Sequence, residues 1–254
     1  MRTLRLDIEY DGAGFAGWAA QPGLRTVEAT LAAALATLLG EDVALSVAGR
    51  TDAGVHAAAQ VASLATASDL APERLVRGLA GILPEDVAVR AVSEAPPGFD
   101  ARRDAVARRY EYRVLLGPPS PLRRGRVLRH PGDLDLEAMS EAAALVVGTH
   151  DFRAFTPTRT EHVFFHRTVT VCRWERREDE LVFTVEADAF LRHMVRVLVG
   201  TMLLVGRGTW PPERLAALLR GAPRGAAGPT APPHALTLTG VAYGPPGARA
   251  GRAV

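Results

Sequence analysis

Residues 3–10 read TLRLDIEY, with an apolar side chain at every second position. This alternation predicts a strand, because successive side chains of a strand point to opposite faces. Residues 26–40 read TVEATLAAALATLLG and predict a helix, with Thr26 as the cap at its start and Gly40 at its end. The remaining elements of this half are strands over 43–48, 56–64 and 87–92 and a helix over 72–82. The resulting β-α-β-β-α-β order is that of the split βαβ, ferredoxin-like fold.

The second half repeats the same order of elements with little visible identity to the first. Its predicted elements are a strand over 107–116, a helix over 136–147, a hairpin of 167–176 and 181–187 that turns at Glu178-Asp179, helices over 190–205 and 212–219, and a strand over 236–243. We therefore predict an α+β protein of two ferredoxin-like subdomains with antiparallel sheets. The predicted boundaries are 1–104 and 105–244, followed by a flexible tail over 245–254.

The composition excludes several classes of chemistry. The chain of 254 residues contains no lysine, so Schiff-base catalysis, pyridoxal phosphate attachment and a phosphate-loop lysine are excluded. Cys172 is the only cysteine, which excludes an internal disulfide and a thiolate metal cluster. His162 and His166 are four residues apart but lack a third ligand nearby, so we interpret them as structural. The arginine of the apolar run 194–205 argues against a membrane span, and without a targeting signal we expect a cytoplasmic protein.

All of the basic side chains other than histidine are arginines, and many of them are clustered. Their guanidinium groups suit phosphate contact, but with a net charge of only +2 the composition alone favours a solvated charged face. The clusters are Arg102-Arg103, Arg108-Arg109, Arg123 to Arg126 and Arg173 to Arg177. A proline-rich basic loop is predicted over 117–133.

Residues 12–17, GAGFAG, match the glycine pattern of dinucleotide-binding folds and follow a strand. In those folds the third glycine leads directly into a helix whose N-terminus faces the pyrophosphate. Here residues 18–23 intervene and end in a Pro-Gly breaker pair, so a nicotinamide-dependent oxidoreductase is the weaker alternative. The glycines are predicted to form a tight loop that brings Phe15 and Trp18 to a surface.

The segment Gly49–His56 connects two predicted strands and is too long for a two-residue hairpin turn. By spacing alone, a plain connection in which Asp52 caps a turn and Gly54 supplies a positive φ is favoured. An ordered loop with a function is the alternative.

Several motifs in a consistent order resemble those of the tRNA pseudouridine synthase A family, from residue 10 to about residue 243. They are Tyr10-Asp11-Gly12 with Phe15 and Gly17-Trp18, Arg50 to Ala57 (RTDAGVHA), Phe99 to Arg102 with Arg108 to Tyr112, Gly148 to Phe152, Ala189 to Arg196 with Gly206 to Gly208, and Thr230 to Pro233 with Leu236. The chain departs from the family pattern at Ala19, Arg103, Asp188 and Ala235, and residues 153–166 have no clear match.

The resemblance implies the residues of the site. It identifies Asp52 as the catalytic carboxylate, Arg196 as its charged partner from the other half of the chain, and Tyr110 as the tyrosine that stacks on the base. Since burial would penalise an unpaired arginine within an apolar helix, we expect Arg196 to have a partner. A carboxylate is a suitable partner, because a nearby guanidinium lowers the pKa of a carboxylate and keeps it ionised. Tyr112 lies on the same strand face, so the choice of Tyr110 is a family inference. The substrate-binding residues implied are Arg50, Tyr110, His56 and Arg108.

The resemblance also implies the reaction and its partners. The reaction is isomerisation of uridine to pseudouridine at positions 38, 39 and 40 of the tRNA anticodon arm, with the base flipped out of the stack. No atom is gained or lost, so neither a cofactor nor a metal is expected. A homodimer and a basic cleft between the two sheets are also implied. A noncatalytic RNA-binding module is the main rival, and attack at C1′, attack at C6 and a glycal route all stay open.

Overall fold

The computed structural model describes residues 1–244, so the tail predicted over 245–254 lies outside the described residues. In chain order the strands are β1 (Arg2–Tyr10), β2 (Ser46–Val47), β3 (His56–Thr66), β4 (Val87–Ala95), β5 (Ala105–Leu116), β6 (Leu128–His130), β7 (Gly148–Asp151), β8 (His166–Arg177), β9 (Glu180–Ala187) and β10 (Leu236–Tyr243). The helices are α1 (Val27–Leu39), α2 (Pro72–Ile82), α3 (Leu136–Ala144), α4 (Met194–Gly206) and α5 (Arg214–Leu218). This mixture of strands with few helices confirms the α+β class.

Two compact units divide the described chain. The first comprises residues 1–108 and 237–244, and the second comprises residues 109–236. The last strand therefore belongs to the first unit, whereas the sequence interpretation assigns it to the second subdomain.

The sheet of the first unit has the order β4-β1-β3-β10, and the short strand β2 also pairs with β3. β1 is antiparallel to both β3 and β4, as predicted. β10 is parallel to β3, pairing Thr237 with His56 and Leu238 with Ala57, so the prediction of an entirely antiparallel sheet is wrong at this edge. The parallel register brings the start of β10 beside the start of β3.

The core of the first unit follows from the predicted periodicity. Every second residue of β1 is buried: Leu4, Leu6, Ile8 and Tyr10. The cap prediction for α1 is confirmed, since the Thr26 hydroxyl accepts from the Ala29 amide and Gly40 has a φ of 71°. β2 is shorter than predicted because only Ser46 and Val47 pair with β3.

The second unit has the sheet order β5-β9-β8-β7, with β6 parallel to β5. The hairpin of β8 and β9 turns as predicted, with Glu178 at a φ of 55°. α3 packs against α4 and β8. α4 is buried almost all round, as its apolar sequence predicts, but it begins at Met194 rather than at Phe190. His193 adopts a left-handed φ of 62°, which ends the helical conformation on its N-terminal side.

Candidate active site

The loop Gly49–His56 joins β2 to β3 and carries Asp52. The Val55 amide donates to the Asp52 carbonyl at 3.1 Å, which closes a tight turn, and Gly54 adopts a φ of 77° within it. The Gly54 amide donates to the Phe15 carbonyl at 3.3 Å. The loop is therefore held by backbone contacts on both sides of the turn, and the Asp52 side chain is half-buried.

The glycine-rich segment 12–17 packs directly on this loop. A Cβ atom on Gly12 would lie 2.0 Å from the Val55 carbonyl oxygen, and one on Gly17, whose φ is 102°, would lie 2.9 Å from that of Thr51. The Trp18 amide also donates to the Thr51 carbonyl at 3.0 Å. Glycine is required here because two backbone segments touch. The expected tight loop is present, and because α1 begins only at Val27, the glycines do not lead into a helix as a dinucleotide site would need.

The prediction that Phe15 and Trp18 reach a surface is wrong. Phe15 is 4% exposed and Trp18 is 0% exposed, because both rings fill the core beneath the loop. The outward face of Phe15 is covered by the Arg25 guanidinium, which stacks 4.0 Å from its ring centre. Arg25 is fixed in turn by two hydrogen bonds of 2.7 Å to Asp86.

A buried polar network, not predicted from the sequence, anchors the start of the loop. The Tyr10 hydroxyl lies 2.7 Å from the Thr51 hydroxyl, and the Gln60 amide nitrogen donates to the Gly49 carbonyl at 2.8 Å and to the Tyr10 hydroxyl at 3.3 Å. Burial raises the pKa of Tyr10 to about 12, so it stays a neutral hydroxyl. The network bonds to residues on both sides of Arg50. A buried glutamine in an otherwise apolar strand is the only sequence signal that could have revealed it.

His56 ends the loop and is 1% exposed. Its Nδ1 lies 3.0 Å from the Gly12 amide and 3.0 Å from an Asp11 carboxylate oxygen. The ring therefore ties β3 to the glycine-rich segment from inside the first unit.

The two arginines predicted to bind substrate in this unit lie in different surroundings. Arg50 is exposed, next to Thr51 in the loop. Arg108 is 9% exposed, and its guanidinium donates to the carbonyl groups of Ala48, Ala105 and Arg102 at 2.7–2.9 Å. These bonds hold the backbone just before the loop.

In the second unit, Tyr110 and Tyr112 lie on the same face of β5 and are both buried, at 7% and 0% exposure. The Tyr110 ring meets the Phe190 ring edge-on, with centroids 5.1 Å apart. The Tyr112 hydroxyl donates to the Pro232 carbonyl at 3.0 Å. Burial raises the pKa of Tyr112, and the positive charge of Arg196 opposes that rise. The Tyr112 hydroxyl is thus anchored to the backbone of residue 232.

Arg196 lies in the first turn of α4 and is half-buried. Its Nε donates to the Ala231 carbonyl at 2.8 Å, and the Ala231 amide donates back to the Arg196 carbonyl at 3.0 Å. The first bond ties the guanidinium to the Ala231 peptide, and the second ties that peptide to the backbone of α4.

Many of the clustered arginines form ion pairs within the second unit. Arg109 contacts Glu186 at 2.8 Å, and Arg123 contacts Asp179 at 2.6 Å. Arg177 pairs with Glu111 and Glu175. These clusters are therefore mixed-charge surfaces rather than uniformly positive ones, a property that sequence spacing does not show.

Within residues 1–244, no group of three or more His, Cys, Asp or Glu side chains is arranged to hold a metal ion. In the same range no helix has the length and apolarity needed to cross a bilayer.

A family model described as tRNA pseudouridine synthase matches residues 8–102 and 142–244. Asp52 and Arg196 fall inside these segments, and Tyr110 falls between them. Proteins named tRNA pseudouridine synthase A from Frankia casuarinae and Chloroflexus aurantiacus are 46% and 44% identical to the chain. The two alignments cover 98% and 97% of this chain and 92% and 90% of those proteins.

A third relative of the same name, from Streptomyces griseus, is 47% identical over 94% of this chain and 87% of its own length. A solved Cbf5-Nop10-Gar1 complex is 14% identical, covers 79% of this chain and 45% of that chain, and has a TM-score of 0.37, too low to support an argument. The full-length relatives and the family model agree, and both include the loop around Asp52. The chain belongs to the tRNA pseudouridine synthase family.

Proposed function

We propose that this enzyme isomerises uridine to pseudouridine at positions 38, 39 and 40 of the tRNA anticodon arm. The family and its relatives' names support the reaction and the tRNA substrate. The observation that carries the assignment is the loop 49–56, which is built by close backbone packing around a half-buried carboxylate. A plain connection between two strands would not need glycines at both contact points.

Asp52 is the proposed catalytic carboxylate. The reaction breaks the C1′–N1 bond of uridine and joins C1′ to C5 of the same base, and the hydrogen on C5 leaves as a proton while N1 gains one. Attack at C1′, attack at C6 and a glycal route each need an ionised carboxylate, either as nucleophile or as base. The turn that begins at Asp52 supports this role because it fixes the backbone from which the carboxylate projects.

Arg196 and Tyr110 are the proposed partners of Asp52 in the reaction. A guanidinium beside the carboxylate would keep it charged, and the hydrogen bond from the Arg196 Nε to the Ala231 carbonyl restrains the guanidinium for such a task. Tyr110 would place its ring against the uracil. Its contact with Phe190 supports this assignment over Tyr112, whose hydroxyl is held by Pro232.

The proposed substrate-binding residues are Tyr110, Arg50, His56 and Arg108. Arg50 is exposed beside the catalytic loop and would hold a phosphate or fill the space that a flipped base leaves. His56 and Arg108 are buried, so we assign them an indirect part in binding: they shape the loop that presents Arg50.

The same proposal includes the architecture implied by the family resemblance. The β4-β1-β3 order of the first unit, with β2 on the far side of β3, supports a ferredoxin-like subdomain. We propose two such subdomains whose sheets flank a basic cleft, in a homodimer that acts in the cytoplasm without a cofactor or metal.

The test is pseudouridine mapping on unmodified tRNA with Asp52→Asn, which changes the charge and almost nothing of the shape. We expect no pseudouridine at positions 38–40 and nearly unchanged tRNA affinity. Asp42→Asn, a change at an exposed aspartate outside the loop, is the matched control and should keep full activity. Full activity of Asp52→Asn would overturn the assignment, and a wild-type protein that binds tRNA without modifying it would identify the noncatalytic RNA-binding rival.

A further inference from the structure

The segment Gly228–Ala235 crosses the face of α4 that carries Arg196. The Gly228 amide donates to the Thr201 hydroxyl at 3.0 Å, which attaches one end of the segment to the helix. A Cβ atom on Gly200 would lie 1.8 Å from the Pro229 carbonyl oxygen, so the two backbones are in direct contact. The segment therefore has little freedom to move relative to α4.

The contact between this segment and Arg196 runs in both directions. The Arg196 Nε donates to the Ala231 carbonyl at 2.8 Å, while the Ala231 amide donates to the Arg196 carbonyl at 3.0 Å. The position of the Ala231 peptide thus sets the direction of the guanidinium. Long arginine side chains otherwise sample many rotamers, and ordering one costs free energy.

Tyr112 fixes the segment from the opposite side. Its ring is fully buried on β5, and its hydroxyl donates to the Pro232 carbonyl at 3.0 Å. Pro232 follows Ala231 directly, so a shift of this carbonyl moves the peptide that orients Arg196. The Tyr112 hydroxyl bonds to the backbone at Pro232, so besides the electrostatic effect between Tyr112 and Arg196 it acts on Arg196 through that backbone.

We propose that Tyr112 and the segment Gly228–Ala235 are positioning elements that hold Arg196 in its working orientation. The inference rests on the proposed role of Arg196 as the partner of Asp52. It assigns to Tyr112 a part in the reaction that is separate from that of Tyr110, the proposed base-stacking residue. A misplacement of about 1 Å in a catalytic group can lower a rate by roughly a hundredfold, so a single lost hydroxyl can have a measurable effect.

The primary experiment measures single-turnover pseudouridine formation by Tyr112→Phe, which removes only the hydroxyl. We expect a fall in rate of roughly ten- to a hundredfold with little change in tRNA affinity. Tyr243→Phe is the matched control, because the Tyr243 hydroxyl donates to the Ala101 carbonyl at 2.8 Å and is lost in the same way. This control should keep the wild-type rate.

A double-mutant cycle separates positioning from a merely structural role. Arg196→Lys removes the Nε that bonds to Ala231, so in that background Tyr112→Phe should cause little further loss. Equal losses in both backgrounds, or a full rate for Tyr112→Phe alone, would refute the inference. Full activity of Arg196→Lys and Arg196→Ala would instead refute the proposed role of Arg196.

Thr201→Val provides a second route if Tyr112→Phe does not fold. This near-isosteric change removes the hydroxyl that accepts from the Gly228 amide and so releases the other end of the segment. We expect the same fall in rate and the same loss of additivity with Arg196→Lys. A full rate in this variant, with the fold intact by circular dichroism, would overturn the inference.

Discussion

Replacement of Gly12 by alanine should displace the loop that carries Asp52. The new Cβ would lie 2.0 Å from the Val55 carbonyl oxygen, and real Cβ contacts are essentially never shorter than 3.0 Å, so the backbones must separate by about 1 Å. Val55 closes the turn on the Asp52 carbonyl, so this displacement reaches the carboxylate. Overpacking of this kind costs about 1–3 kcal/mol of stability, and a displacement near 1 Å can cost roughly a hundredfold in rate.

Two assays follow these effects separately. Release of tritium from tRNA labelled at C5 of uridine reports the single-turnover rate, and thermal unfolding should show a melting temperature lower by about 2–12 °C. Gly14→Ala is the matched control, since its Cβ would meet side-chain ends rather than backbone, those of Arg25 at 2.9 Å and Asp86 at 3.5 Å. Equal losses of rate in the two variants, or a Gly12→Ala enzyme with the wild-type rate, would refute the argument that the backbone contact between Gly12 and Val55 positions the catalytic loop.

Further predictions concern stability and its dependence on pH. The hydrogen bonds from Arg25 hold the pKa of Asp86 below its usual value, so the pair stabilises the fold above about pH 4 and less as pH falls. The free energy of unfolding of Asp86→Asn should therefore be lower than that of wild type by ~0.2–1 kcal/mol at neutral pH, as for an exposed pair, and the difference should close in acid; a difference that widens would contradict this. In urea unfolding, His193→Val should be about 1–2 kcal/mol less stable than His193→Gly, because residue 193 has a left-handed φ of 62°, which glycine adopts without strain. Leu79→Ala should lose about 2–5 kcal/mol by the same measurement, since Leu79 is 0% exposed, while Ile82→Ala, 43% exposed on the same helix, should change stability by about 0.5 kcal/mol or less.

The elements with strong local signals were predictable from the sequence. α2 has its predicted bounds of Pro72–Ile82, because proline fixes its first turn and leucines at spacing four define its buried side. α1 has its predicted caps, Thr26 and Gly40. In both helices the residues that determine the bounds lie within the helix or next to its ends, so no distant partner is needed to predict them.

The errors arise where a distant partner decides the local structure. β2 keeps only Ser46–Val47 because a strand exists only where β3 offers backbone groups to pair with. The late start of α4 depends on the left-handed conformation of His193, for which the apolar periodicity has no signal. The place of β10 in the first unit depends likewise on its pairing with β3, across about 180 residues of sequence.

The residues proposed for the candidate site come from the sequence motifs, whereas the construction of the loop around Asp52 could not be predicted. Spacing alone favoured a plain connection around Asp52, and only the match of RTDAGVHA to a known motif pointed to catalysis. The bonds among Tyr10, Thr51 and Gln60 join residues 41 and 50 positions apart, so the polar Gln60 in its strand could hint at a buried network but could not identify its partners. The burial of Arg108 could not be predicted either, because the local sequence does not distinguish a buried arginine from an exposed one within a charged cluster.

The pairing of β10 with β3 has a consequence for the order in which the molecule can be completed. The first unit is interrupted in the chain by the whole of the second, so its strand β10 leaves the ribosome only after residue 236 has been made. During synthesis the part of β3 that pairs with β10 therefore has no β10 partner while the second unit is translated. A chain cut short just before Leu236 would therefore be damaged in the half that carries Asp52, although the cut lies far from it in sequence.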